Sequence, residues 1–138
     1  VGGDNIFLFP LKPLWDKFLD QEHHMITALH EEKLNSLQRT GVLELSDLNQ
    51  VIRLHEKPKK PPSQYFSPPL YLFKSSAKNR LVHYMNDVKS MDASGHFVDY
   101  LCQKETVQAI KSEEGRLDIG NMESYQKANE LYNNRSDA

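Results

Sequence analysis

Apolar residues recur at helical spacing in four segments of the chain, with polar residues between them. This period predicts helices over 11–22, from Ser75 or Ser76 to about Asn86, over 96–103 and over 122–133. The first helix carries an apolar side formed by Leu11, Leu14, Trp15, Phe18 and Leu19. The second places Leu81, Val82 and Met85 on one side. Each helix therefore has a face that is expected to pack on a neighbouring layer.

Short apolar runs between these helices predict β-strands. They cover residues 25–30, 41–45, 50–55, 70–73 and 105–110, and a short extended piece begins at Arg116–Leu117. Residues 57–69 hold five of the seven prolines and predict a loop. Strands that alternate with helices indicate an α/β fold. The adjacent strands on either side of Ser46–Asn49 favour a mixed sheet over a purely parallel one.

Composition and charge narrow the class of protein. The 138 residues are 38% hydrophobic and 26% charged, which is typical of one globular domain. A net charge of -2 gives no reason to expect nucleic acid or an anionic membrane as partner. No apolar run is long enough to span a bilayer and no secretory signal is visible. The single cysteine, Cys102, is expected to be a core thiol, and a cytoplasmic location is predicted.

The chain opens with Val1-Gly2-Gly3-Asp4-Asn5, which has the pattern of the tail of a buried strand. This suggests a fragment of a larger domain. Glycines at a strand end let the backbone approach a ligand, and Asp4 would point out of the carboxyl edge of the sheet, where open α/β sheets bind ligands. The alternative is a turn in which Asp4 caps the following segment.

Glu56-Lys57-Pro58 places a carboxylate and an ammonium side by side at the end of a strand. Lysine suits a phosphate, and a carboxylate accepts hydrogen bonds from sugar hydroxyls. Alternation would put Glu56 and Lys57 on opposite faces, so a bend is required if both line one pocket. The alternative is a solvated strand end that continues into Lys59 and Lys60.

Three further positions have a functional and a structural interpretation. Asp118, in Leu117-Asp118-Ile119-Gly120, is either the N-cap of the last helix or a ligand of a hard cation such as magnesium. Gly41 is either a turn residue or a place where a backbone N–H reaches a ligand. Asp92 and His96 around Gly95 fit either acid–base chemistry or a turn and helix cap, and the turn and cap are favoured. The spacing of His23, His24 and His30 does not match a recognisable metal site.

These motifs follow one another in a fixed order. Gly-Asp-Asn at 3–5, Gly-Val at 41–42, Val-Ile-Arg-Leu-His-Glu-Lys-Pro at 51–58, Pro-x-Ser at 61–63, Leu-Tyr-Leu-Phe at 70–73, Asp-x-x-Gly at 92–95 and Leu-Asp-Ile-Gly-Asn-x-Glu-Ser-Tyr at 117–125 form the series. The series resembles the sugar-1-phosphate nucleotidyltransferase family, and most closely its glucose-1-phosphate thymidylyltransferase-like branch. The resemblance runs from Gly3 to about Tyr132.

The resemblance implies a nucleotide-diphospho-sugar transferase fold with a mixed central sheet. It implies transfer of a nucleotide from a nucleoside triphosphate to a sugar 1-phosphate, with release of pyrophosphate. Asp4 and Asp118 would hold Mg²⁺. Lys57 would contact the sugar phosphate and Glu56 the sugar hydroxyls. Gly41 and Tyr71 would line the sugar pocket.

The family also implies a nucleotide-binding half, with a glycine-rich loop that ends in arginine and a downstream lysine. None of these is found in this sequence, so residues 1–138 are expected to be the C-terminal part of one domain, inactive without the missing half. The alternative is a pseudoenzyme or regulatory subunit that acts through protein partners. Members often form dimers or tetramers. The base and the sugar are left open, with glucose 1-phosphate as the default.

Overall fold

A computed structural model describes residues 2–87 and 93–136, and side chains up to residue 133. Its helices are α1 (Leu11–Leu19), α2 (Leu34–Leu37), α3 (Ser76–Asp87), α4 (Ser94–Cys102) and α5 (Met122–Ser136). Its strands are β1 (Asn5–Phe7), β2 (His24–His30), β3 (Gly41–Leu45), β4 (Val51–Glu56), β5 (Tyr65–Phe66), β6 (Tyr71–Leu72), β7 (Val107–Ser112) and β8 (Arg116–Asp118). This mixture confirms the α/β class.

The main sheet has six strands and is mixed, as predicted. Its order is β4-β3-β5-β2-β6, and β7 pairs with β2 in parallel while the other pairs are antiparallel. β2 lies at the centre, and six of its seven residues are buried, including the polar residues His24 and Thr27. β1 and β8 form a separate two-stranded antiparallel sheet.

Some predicted elements differ from those observed. The predicted loop over 57–69 contains the short strand β5, which links β3 to β2. The helix predicted over 11–22 ends at Leu19, and only Phe18 of its apolar residues is buried. The apolar residues predicted to share a side of α3 are exposed, and the helix packs through Ala77 and Tyr84 instead. Asp92 lies outside the described residues, whereas His96 lies in α4.

Helix α4 packs against β4 of the main sheet. Its residues Phe97, Val98 and Leu101 are buried against the sheet. Burial of an apolar side chain of this size contributes about 1.5–3 kcal/mol. Asp99 fixes the helix on β4, because its carboxylate accepts hydrogen bonds from the guanidinium of Arg53 and from the backbone N–H of Leu54. The end of β4 is therefore held rigidly beside the start of α4.

A hydrogen-bond network that includes the buried ring of His24 lies at the start of β2. The Nδ1 atom of His24 accepts the backbone N–H of Lys74 at 3.1 Å, and its Nε2 atom lies 2.8 Å from Glu105. Nε2 therefore carries the ring proton. Hydrogen bonds from Ser76 first, then Arg80 and His24, lower the pKa of Glu105 to about 2. His24 is thus a structural residue, whereas its neighbour His23 is exposed.

Glu105→Gln is expected to reduce the free energy of unfolding at neutral pH by about 1–3 kcal/mol, because three donors lose a charged acceptor. Since the pKa of Glu105 is lower in the folded chain, its stabilisation is present above the unfolded value of 4.5 and is lost as the pH falls towards about 2. Urea unfolding of both proteins from neutral to acidic pH measures this. The difference in the free energy of unfolding between Glu105→Gln and the unmodified protein should shrink as the pH falls below 4.5. Glu113→Gln, at an exposed position, serves as the control. A difference that does not change with pH would contradict the assignment.

Two further observations concern the thiol of Cys102 and the lengths of the helices. Burial raises the pKa of the partly buried Cys102 thiol to about 12, so the thiol is protonated at neutral pH and is not an activated nucleophile. In the part of the chain that the structure describes, no helix has the length and apolar character needed to span a membrane.

Candidate functional site

The pairing of β1 with β8 brings Asp4 and Asp118 together. Asn5 lies opposite Asp118 in this antiparallel ladder, and the N–H of Ile119 donates to the carbonyl of Asp4 at 2.8 Å. Both carboxylates border Gly120: a Cβ placed on this glycine would lie 3.1 Å from Oδ1 of Asp118 and 3.8 Å from Oδ2 of Asp4. We call these two exposed side chains the carboxylate pair.

The carboxylate pair fits a hard divalent cation. Asp118 accepts the N–H of Gly120 through Oδ1, and Asp4 accepts the side-chain amide of Asn5 through Oδ1. These bonds orient both groups and leave lone pairs for a ligand. Two carboxylates, completed by substrate phosphates and water, are the usual protein ligands of Mg²⁺. The described residues contain no group of three or more acidic, histidine or cysteine side chains suited to a metal ion.

Three predicted substrate-binding residues line one cavity of about 340 Å³, which we call the Glu56 cavity. It is lined by Arg39, Thr40, Gly41, Glu56, Ser67, Pro69, Tyr71, Ala93, Ser94 and Arg116. The volume lies at the lower end of the range of about 300–1,000 Å³ for small-molecule sites. The segment that carries Asp4 reaches the rim, because the N–H of Gly2 donates to the carbonyl of Pro69 at 2.8 Å.

Two glycines leave the space that the Glu56 side chain occupies. A Cβ on Gly95 would lie only 2.2 Å from Oε2 of Glu56, and one on Gly41 would lie 3.4 Å from the same atom. Gly41 pairs with Glu56 across β3 and β4, and Gly95 lies in the first turn of α4. Gly95 is therefore required for the position of Glu56. From the sequence, Gly95 was expected only to belong to a turn and to the Asp-x-x-Gly motif at 92–95.

Tyr71 presents its hydroxyl to the same cavity. Its Oη atom lies 3.4 Å from Oγ of Ser94, and its ring stacks on Phe73 with centroids 5.8 Å apart. Burial raises the pKa of Tyr71, and the hydrogen bond to Ser94 opposes this shift. The phenol therefore stays protonated at neutral pH and offers both a donor and an acceptor.

Lys57 lies next to Glu56 in sequence, but it is not among the residues that line the Glu56 cavity. Its φ of 48° is left-handed, which is uncommon for a residue other than glycine. Its N–H donates to the carbonyl of Thr40 at 3.0 Å, and its side chain is exposed. The backbone thus has the predicted bend, while only Glu56 of the two residues lines the cavity.

Arg116 joins the carboxylate pair to the Glu56 cavity, and it was not among the predicted site residues. Its Nη1 atom donates to Oδ1 of Asn5 and, at 3.3 Å, to Oδ2 of Asp118. Arg116 and Thr40 also line a second cavity of about 360 Å³ that contains Asp118. A signal was present in the sequence, because residues two apart on a strand share a face, so Arg116 lies on the same side as Asp118.

A larger cavity, of about 520 Å³, lies between the end of α1 and β7. It is lined by Lys17, Gln21, Glu22, His23, Asn49, Gln108, Ala109, Ile110 and Lys111. None of the predicted site residues borders it. Size alone therefore does not identify the site, and the convergence of Glu56, Tyr71, Arg116 and the carboxylate pair is the stronger indication.

Comparison with known protein families decides the identity at family level. The family described as nucleotidyl transferase matches residues 1–135. The chain belongs to the nucleotidyl transferase family. This confirms the predicted relation to sugar-1-phosphate nucleotidyltransferases.

A curated relative of this nucleotidyl transferase chain has a related sequence over nearly the whole of residues 1–138. A glucose-1-phosphate adenylyltransferase from Thermosipho africanus (strain TCF52B) is 27% identical over 131 residues, which are 94% of this chain and 32% of the relative. This nucleotidyl transferase chain therefore spans about a third of the length of that relative.

Two solved structures share the fold of this nucleotidyl transferase chain. A candidate glucose-1-phosphate thymidylyltransferase from Bacillus anthracis, in complex with a sucrose, has a TM-score of 0.72 and 24% identity, over 94% of this chain and 51% of that one. A UDP-glucose pyrophosphorylase complexed with UDP-glucose has a TM-score of 0.78 and 16% identity, over 96% and 54%. The likeness confirms the mixed α/β nucleotidyltransferase fold.

Proposed function

We propose that this chain supplies the sugar-phosphate and metal side of an enzyme that joins a sugar 1-phosphate to a nucleoside triphosphate. The observation that carries the proposal is the position of the carboxylate pair beside the Glu56 cavity, with Arg116 between them. Family membership supports the same reaction class. A location in the cytoplasm and assembly into a homo-oligomer are part of the proposal.

In the proposed reaction, an ionised oxygen of the sugar phosphate forms a bond to the α-phosphorus of the triphosphate. The bond from that phosphorus to the bridging oxygen breaks, and pyrophosphate leaves with its electron pair. No general base is required, because the attacking oxygen is already ionised at neutral pH. The task of the protein is therefore to orient the reactants and to balance charge.

Each predicted residue has a role in that task. Asp4 and Asp118 would hold Mg²⁺, which supplies positive charge to phosphate oxygens when bound. Glu56 accepts hydrogen bonds from sugar hydroxyls, and Tyr71 and the backbone at Gly41 line the sugar pocket. Lys57, exposed at the bend after β4, contacts the sugar phosphate. Groups that bind the base and the triphosphate are expected in the part of the relatives that this chain does not match.

The test is a panel of nucleoside triphosphates against sugar 1-phosphates, with pyrophosphate release as the readout. We expect release by the protein that carries this chain together with a nucleotide-binding half, with glucose 1-phosphate among the active sugars, and none after removal of divalent cations by EDTA. Residues 1–138 alone should show no turnover. Binding of a sugar 1-phosphate without turnover of any pair would instead support the non-catalytic alternative.

A further inference from the structure

The guanidinium of Arg116 is held in place but is only partly used. Its side chain is 15% exposed, and its Cζ atom lies 5.6 Å from the centre of the Phe66 ring. The hydrogen bonds that it makes within residues 2–87 and 93–136 all use Nη1, to Asn5 and Asp118. The donors at Nε and Nη2 have no partner among those residues. A fixed guanidinium with one free edge has the geometry that binds an oxyanion with two parallel hydrogen bonds.

The charge of the Glu56 cavity points to the same ligand chemistry. Two cationic side chains line it, Arg39 and Arg116, and Glu56 is the one carboxylate among its lining residues. The side chain of Arg39 is exposed and its guanidinium forms no hydrogen bond or ion pair within the described part of the chain. The residues that line the cavity thus carry one net positive charge, and this charge favours an anion.

Arg116 also works against the cation predicted for the carboxylate pair. A positive charge 3.3 Å from an oxygen of Asp118 reduces the negative potential that attracts a divalent ion. A residue whose task was only to attract the cation would not be positively charged. Its presence is explained if the same guanidinium binds a second, anionic ligand beside the cation.

We propose that Arg116 is a specificity-determining residue that binds an oxyanion of the sugar substrate through Nε and Nη2, while Nη1 stays on Asn5 and Asp118. The inference rests on the proposed function and extends it to a residue that the sequence motifs do not include. The oxyanion is either the phosphate at C1 or a carboxylate elsewhere on the sugar. In both cases the neutral sugar lacks the group that Arg116 recognises.

The test measures binding, without turnover, of glucose 1-phosphate, glucuronic acid and glucose to the protein that carries this chain. Arg116→Gln should weaken binding of one or both anionic ligands by about tenfold to a hundredfold, with glucose unchanged. Arg116→Lys should give a smaller loss, because it keeps the charge and lacks the fork. Lys127→Gln, which removes the same charge from an exposed position on α5, is the matched control and should change nothing.

A second measurement separates this role from a structural one. Mn²⁺ binding to the carboxylate pair, followed by water proton relaxation, should become about two- to fivefold tighter in Arg116→Gln, because a nearby positive charge is removed. Loss of local structure would weaken cation and anion binding together. Opposite shifts in the two affinities therefore support the proposal, and parallel weakening overturns it.

The ligands distinguish the sources of the anion. If Arg116→Gln weakens binding of glucose 1-phosphate alone, the group that Arg116 binds is the phosphate. If it weakens binding of glucuronic acid alone, that group is a sugar carboxylate. Unchanged binding of both anions in Arg116→Gln, when the unmodified protein binds glucose 1-phosphate, overturns the role of Arg116 and leaves the proposed function intact. If the unmodified protein binds no sugar 1-phosphate, the proposed function is itself wrong.

Discussion

Asp118→Asn will reduce pyrophosphate release by about a hundredfold or more in the protein that carries this chain with a nucleotide-binding half. The amide keeps the shape of the side chain, and its oxygen still accepts the N–H of Gly120, but the carboxylate pair loses one of its two charges. The side chain is 57% exposed, so the fold should be preserved. The measurement is the initial rate of pyrophosphate release over a range of Mg²⁺ concentrations.

Two comparisons make this result specific. Asp20→Asn removes the same charge at the C-cap of α1 and should leave the rate unchanged. The double variant Asp4→Asn with Asp118→Asn should release pyrophosphate little more slowly than either single variant. The effects of substituting residues that act as a unit are not additive. A rate for Asp118→Asn within a few-fold of the unmodified protein would show that this carboxylate is not a ligand of the required cation.

Gly95→Ala will raise the KM for the sugar 1-phosphate about tenfold or more and lower the free energy of unfolding by about 1–3 kcal/mol. The new methyl group would lie 2.2 Å from Oε2 of Glu56 and 2.9 Å from Cδ2 of Leu54. Because α4 is fixed on β4 by the ion pair of Asp99 and Arg53, the helix cannot easily move away. Glu56 must therefore leave its position. Steady-state kinetics and urea unfolding measure both effects.

A matched glycine provides the control for this substitution. A Cβ on Gly115 would meet no atom within 4 Å, so Gly115→Ala should leave the KM and the stability nearly unchanged. Adding Glu56→Asp to Gly95→Ala shortens the clashing side chain, which should restore stability without restoring the KM. An unchanged KM in Gly95→Ala would show that the position of Glu56 does not affect sugar binding.

Much of the sheet could be predicted from local patterns. The strand predicted over 25–30 is observed as β2 and is nearly fully buried, and the hairpin β3–β4 is marked by a turn whose Asn49 adopts a left-handed φ of 59°. The two-residue strand β5 was missed, because it lies among prolines and its pairing depends on strands on either side of it. Such a short segment carries no period of its own.

The apolar faces of the helices were predicted less well. Periodicity shows that an apolar stripe exists, but it does not show what covers the stripe. Trp15 of α1 is 49% exposed and Met85 of α3 is 49% exposed, although both fit the helical period. Only the tertiary arrangement shows that α1 packs through Phe18. The centroid of its ring lies 4.0 Å from Nζ of Lys74.

The candidate site was predicted in part. The ordered motifs led to Asp4, Glu56, Tyr71 and Asp118, and the roles of these residues remain predictions. Gly95 ends the Asp-x-x-Gly motif at 92–95, but no site role was predicted for it or for Arg116, because each acts through a contact with a residue far away in sequence. Strand alternation indicates that Arg116 shares a face with Asp118, but close approach across the fold is a property of packing, and a single sequence does not contain it.

The pairing of β1 with β8 has a consequence for folding. The two segments that it joins are separated by most of the sequence, so closing this contact has a high entropic cost and depends on the sheet between them. A cation held by both Asp4 and Asp118 thus has no local binding site in the unfolded chain. If the proposed cation binds there, its binding free energy would add to the stability of the folded chain.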